Sequence, residues 1–206
     1  MGTLVVTEFM TLDGVAQAPG AREEDQEQGF PHGGWQGPLS DDASGEAMYA
    51  MASGMDALLL GRRTFDIFAD YWPTADPDNP FTELLNRVPK YVPSHTLSEP
   101  LSWDESHLLA GDLAQEVNGL KDRHREIHVI GSLDLLQSLL REGLVDRLDL
   151  WQYPLVLGTG KRVFEAGAVP TTMRLTQSAT YPMGTVQLTY EPVGPPSYQN
   201  MDEARG

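Results

Sequence analysis

Three times along this chain a short strand-like run ends in small or polar residues. Ala57 to Leu60 is an uninterrupted apolar run that stops at Gly61 and passes directly into Arg62-Arg63-Thr64-Phe65. Pro89 to Pro93 leads into Ser94-His95-Thr96, and Ile127 to Ile130 leads into Gly131-Ser132 and a helical pattern from Leu133 to Arg141. Apolar runs without alternation are the mark of strands covered on both faces. Their recurrence before small-residue turns and helices predicts an α/β sheet with parallel strands and a ligand along its carboxyl edge.

The first junction has a definite chemistry. Arg62, Arg63 and Thr64 sit where a buried strand hands over to a helix N-terminus, and backbone N–H groups of a first helical turn lack intrahelical acceptors. Those groups, the positive end of the helix dipole and two guanidinium groups favour an anion, and Gly61 lets the backbone approach it. A phosphate-bearing cofactor is the expectation; two ordinary surface cations are the alternative.

Composition narrows the classes. At 206 residues, with aliphatic runs recurring throughout, the chain reads as one domain over 1–191 followed by a loose tail over 192–206. No Cys is present, which removes disulfides, thiolate catalysis and zinc-thiolate sites. A formal charge of −16 argues against nucleic acid as a partner, although a few focused cations still suit a local phosphate site. Leu4 to Met10 is too short for a secretory segment and carries Glu8, and no apolar run approaches membrane-spanning length. The expectation is a soluble cytoplasmic protein acting on a small molecule.

The remaining segments fill in the sheet. Thr3 to Met10 reads as a first, central strand. Its Glu8 either points into a cleft or marks a strand end reaching solvent, and the usual exposure of Glu favours the second. Thr11 to Gly14 is a turn. Val15 to Leu39 is a long loop with an acidic run from Glu23 to Glu27, and loops of this length in compact domains tend to be functional or disordered. Trp35 within it either covers a planar ligand or packs the loop down. Ser40-Asp41-Asp42 signals a helix start, and Met48, Met51 and Met55 read as its core face. Thr64 to Tyr71, Phe81 to Arg87 and Asp112 to Leu120 read as helices, Ser102-Trp103 as a minor strand, and Arg147 to Leu157 as a further strand. Gly158 to Arg162 is a tight cationic loop, and Met173 to Tyr181 with Thr185 to Tyr190 form an antiparallel ending.

Several familiar motifs fail on inspection. Gly158-Thr159-Gly160 has Val163 where a dinucleotide fingerprint needs its third Gly, and it lies far from the first strand-to-helix turn. His124 and His128 have helical metal-ligand spacing, but His128 lies in a strand, so no metal site is expected. No Gly-x-Ser-x-Gly element is present, which disfavours a nucleophile-elbow hydrolase.

LLLGRRTF, PKYVPSHTL, the opening TLDG and the stretch from VIGSLDLLQSLL to LGTGKRVF together resemble the dihydrofolate reductase-like proteins related to the reductase domain of the riboflavin-pathway deaminase-reductase. The resemblance runs from about Thr3 to Tyr190. It implies a three-layer α/β fold with a mostly parallel central sheet and an antiparallel C-terminal hairpin, NADPH as cofactor, and often a homodimer. By the same resemblance Arg62 and Thr64 would hold the 2′-phosphate and pyrophosphate, and Ser94, His95 and Thr96 would line the adenosine end. Gly131, Ser132 and Leu133 would lie against the pyrophosphate, and Asp13-Gly14 would open the loop beside nicotinamide and substrate. Dihydrofolate reductases proper carry a carboxylate on the first helix; here Gly45 falls near that place with Glu46 beside it, so folate recognition is not expected. Proton delivery is open between Asp13, Glu46, Glu8 and a bound water. The expected activity is NADPH-dependent reduction of a small heterocyclic (pterin- or pyrimidinone-like) or carbonyl substrate. A non-catalytic nucleotide-binding protein and a flavin binder using Trp35 are the alternatives.

Overall fold

The computed structural model describes residues 1–200 and contains one eight-stranded sheet in the order β4-β3-β2-β5-β1-β6-β8-β7. Its strands are β1 (Thr3–Thr11), β2 (Ala57–Leu59), β3 (Lys90–Pro93), β4 (Ser106–Leu109), β5 (Glu126–Ile130), β6 (Arg147–Tyr153), β7 (Thr172–Thr180) and β8 (Val186–Gly194). The first six of these in chain order pair in parallel, and β8 then runs antiparallel to β6 and β7. The α/β class, the mostly parallel sheet and the antiparallel ending are therefore as the sequence reading expects.

Five helices cover the sheet: α1 (Asp42–Ala52), α2 (Arg62–Tyr71), α3 (Pro80–Arg87), α4 (Leu113–Arg123) and α5 (Leu133–Arg141). Alternation along β1 and β5 divides the core between the two faces. Leu4, Val6, Ile127 and Val129 pack with Val117, Leu120, Leu136 and Leu139 of α4 and α5. On the other face Leu58 packs with Ala52, Phe65, Leu84 and Leu85 from α1, α2 and α3. Burial of such side chains is worth about 1.5–3 kcal/mol each, which is why the short strands hold their register.

Four boundaries differ from expectation. Ser102-Trp103 is not a strand: Trp103 is buried, its Nε1 donates to Asn86 Oδ1 at 2.7 Å, and the edge strand is β4. α2 begins at Arg62, β6 ends at Tyr153, and β8 extends to Gly194, inside the stretch read as tail. The rest of that stretch has no regular structure through Asn200, and its last residues lie outside the described range. Among the described residues no helix is long and apolar enough to cross a membrane.

Candidate functional site

The carboxyl ends of β1, β2 and β5 meet at a cleft of 370 Å³, and its walls show how the helices are started. α1, α3 and α4 are each capped by a side chain, Asp41, Asn79 and Asp112 respectively. α2 and α5 are not capped by any side chain, and both N-termini open into this cleft. First-turn N–H groups left without a protein acceptor are a ready site for an anion.

The two junctions are tied to each other. Gly61 donates its backbone N–H to Ser132 Oγ at 3.0 Å. Ser132 holds that position in the left-handed region, φ 66°, directly after Gly131 at φ 63°. A side chain at φ above zero is uncommon and concentrates at functional sites; here the bent backbone aims the Ser132 hydroxyl at the end of the neighbouring strand. Of the residues expected to hold cofactor, Gly61, Arg62, Arg63, Thr64, Gly131, Ser132 and Leu133 all line the cleft. Ser94, His95 and Thr96 do not. They form a turn at the end of β3, with Ser94 Oγ accepting from the N–H groups of Thr96 and Leu97 at 3.1 and 3.2 Å.

The long loop closes the cleft from above. Gln17 is its hub: the carboxamide donates to the carbonyls of Asp25 and Glu27, and its Oε1 accepts from Lys161 N–H at 3.0 Å. Lys161 Nζ then reaches Asp25 Oδ2 at 2.5 Å and Glu27 Oε2 at 2.6 Å. Burial works against the Lys161 charge, but the two carboxylate hydrogen bonds outweigh it and raise its pKa. Glu27 also takes a bidentate pair from Arg63, at 2.5 and 2.9 Å. Among the described residues Arg62 pairs with Asp66, one helical turn on, at 3.2 Å. Lys161 lines the cleft and lies outside the site residues expected from sequence, although its place in a cationic Gly-rich loop is a usable signal.

Three expectations for chemistry change with the geometry. Asp13 Oδ1 accepts from Thr11 Oγ1 at 2.6 Å, and the carboxylate also accepts from Gly158 and Leu157 N–H at 2.8 and 3.2 Å. The Thr11 hydrogen bond and these amides pull its pKa down to about 2, so it holds no proton at neutral pH and fastens the turn to the loop after β6. Neither Asp13 nor Gly14 is among the residues lining the cleft. Glu46 is exposed on α1, also outside that lining, because it falls on the solvent face of the helix. Trp35 is only 6% exposed; it donates to the Gln17 carbonyl at 2.8 Å and packs edge-on against Tyr153, so it pins the loop down and lies outside the residues lining the cleft.

Glu8, in contrast, stands in the cleft wall. It is 1% exposed, lines the cleft, and its Oε1 has no hydrogen-bond partner among the described residues. Burial pushes its pKa up to about 8. The exposed strand end expected for Glu8 is thus corrected: β1 runs on to Thr11 in the middle of the sheet, and Glu8 lies within it.

A second cavity of 690 Å³ lies beside the cleft, between β1, β5 and β6 and the helices α1, α2 and α3. Phe9, Ile67, Phe68 and Ile130 border both. Met48 and Met51 of the expected core stripe line this cavity, and only Met55 is fully buried.

Comparison with known proteins places this architecture. The model of the RibD C-terminal domain matches residues 2–187. The chain belongs to that family. A curated relative, the uncharacterized protein YyaP of Bacillus subtilis (strain 168), is 32% identical over 141 residues, covering 66% of this chain and 73% of YyaP. Among solved structures, a putative riboflavin biosynthesis protein from Shewanella sp. PV-4 superposes with a TM-score of 0.71 at 21% identity, over 92% of this chain and 98% of that one. A diaminohydroxyphosphoribosylaminopyrimidine deaminase/5-amino-6-(5-phosphoribosylamino)uracil reductase from Thermotoga maritima superposes with a TM-score of 0.61 at 14% identity. That match covers 93% of this chain and 56% of the Thermotoga chain. At these identities the solved structures share the fold of this RibD C-terminal domain protein.

Proposed function

We propose that this chain is an NADPH-dependent reductase that passes hydride to a small heterocyclic (pterin- or pyrimidinone-like) or carbonyl substrate. The family supports an oxidoreductase, and the observation that carries the reading is the pairing of two uncapped helix N-termini with Arg62, Arg63 and Lys161 around one cleft. The donor set suits a dinucleotide pyrophosphate, and the partnerless Glu8 Oε1 suits a polar group seated deep in the same cleft. When bound, NADPH would supply a hydride equivalent.

The chain's own residues do the rest. Arg62, with a single exposed partner, is the cation available to a 2′-phosphate, while Thr64 and the first-turn amides of α2 face the pyrophosphate. Phe9, Ile67 and Phe68 exclude water from the boundary between cleft and cavity. Glu8, protonated at neutral pH, holds a proton on a carboxyl oxygen at the cleft wall and serves as the proton donor to the reduced product.

A fluorescence titration with NADPH tests the reading, and no binding at about millimolar cofactor overturns it. Arg62→Ala is expected to weaken NADPH by about tenfold or more while NADH changes little; equal losses for both would remove the 2′-phosphate assignment.

A further inference from the structure

The 690 Å³ cavity beside the cleft has the size of a small-molecule site and an unusual charge pattern. Its walls are Met48, Met51, Phe68, Phe81 and Trp151, and no Lys or Arg is among the residues lining it. The charged side chains at its wall are the carboxylates of Glu23, Glu24 and Asp70, of which Glu23 and Asp70 are exposed. A phosphate monoester there would meet like charge with no cation to offset its desolvation. A phosphoribosyl substrate of the kind named for the Thermotoga relative therefore has no anchor in it.

One residue of this wall carries an unmatched buried polar atom. His128 lines the cavity, its side chain is 1% exposed, and Nδ1 has no hydrogen-bond partner among the described residues. The other ring nitrogen lies 2.7 Å from Glu126 Oε1, a carboxylate that only accepts, so Nε2 carries the hydrogen and Nδ1 is left as a bare acceptor. An unmatched buried acceptor is destabilising, and a ligand N–H removes that cost.

We propose that this cavity binds an unphosphorylated, flat heterocycle that presents a ring N–H to His128 Nδ1. Its role as hydride acceptor rests on the reductase reading; its recognition by the cavity does not.

Isothermal titration of the full chain without NADPH tests this, using lumazine, 1,3-dimethyllumazine, riboflavin and FMN. Lumazine and riboflavin are expected to bind, with FMN about tenfold or more weaker than riboflavin and 1,3-dimethyllumazine, which has no ring N–H, about tenfold weaker than lumazine. Asp70→Lys, an exposed change, should narrow the gap between FMN and riboflavin. FMN binding as tightly as riboflavin, dimethyllumazine as tightly as lumazine, or no binding of either parent ring at about millimolar concentration overturns the proposal. NADPH titrated separately keeps the two readings apart: loss of NADPH binding with ring selectivity intact refutes the reductase and leaves the cavity assignment standing.

Discussion

A carboxyl group whose pKa stands at about 8 is protonated in neutral water, and Glu8 pays for this in stability as pH rises. The folded-state pKa lies above the ordinary 4.5, so between about 4.5 and 8 the folded chain holds a proton that the unfolded chain has lost. Stability therefore falls with rising pH across that window and levels off above it. Glu8→Gln should flatten this part of the profile in denaturant melts, matching wild type below pH 4.5 and exceeding it by a few kcal/mol near pH 9. The same variant should lower turnover about tenfold or more with NADPH affinity little changed, and wild-type turnover should decline as pH passes about 8. A melt profile with the wild-type slope in Glu8→Gln would remove the buried-acid assignment. Glu8 was hard to read in the sequence because the ordinary preference of Glu for water is a single-residue property. Its burial comes from β1 being central, which only pairing with β5 and β6 decides.

At the level of elements, the α2 start lacks the side-chain cap that α1, α3 and α4 have. Gly61 has φ −62° and ψ 149°, a conformation open to any residue, and a Cβ there would meet Ser132 Cβ at 3.4 Å, a close contact. Gly61→Asp supplies the cap that α1, α3 and α4 already have, so the variant should be as stable as wild type or more so by about 1 kcal/mol. Its carboxylate would also stand on the anion site, so NADPH affinity should fall about tenfold or more. Thermal melts and cofactor titration check the two halves, and unchanged affinity would detach the α2 terminus from cofactor binding. Local signals made these elements legible: the Asp112 cap, the apolar face of α5 and the run into Gly61 depend on residues within one turn of each other. β4 was not legible. Ser106–Leu109 is four residues long and takes its identity from pairing with β3, while Trp103 nearby serves as a lid over the buried Lys90, whose ammonium lies 4.3 Å from the indole centroid.

On the scale of the whole molecule, the second cavity shows where sequence reading stopped. Its wall draws on β1, the long loop, α1, α2, α3, β5 and β6, elements up to 144 positions apart, and no window of sequence contains that neighbourhood. The cleft was legible because two of the three junctions that repeat one local design, Gly61 to Thr64 and Gly131 to Leu133, build its wall. One feature of it bears on how the protein meets its ligand. Glu27 sits on Arg63 and Lys161, so the loop carries a resident carboxylate where an incoming polyanion needs cations. On the proposed reading binding is an ion exchange, with the loop as the displaced counter-ion, and affinity would measure the difference between two anions. Glu27→Gln should tighten NADPH about three- to tenfold and blunt discrimination against singly charged competitors such as chloride, read by titration across salt concentration. In a chain with a net charge of −16 the cleft's cations, Arg62, Arg63 and Lys161, stand among the carboxylates of Glu24, Asp25 and Asp134, and on the proposed reading a ligand with more than one phosphate is expected to compete best for them.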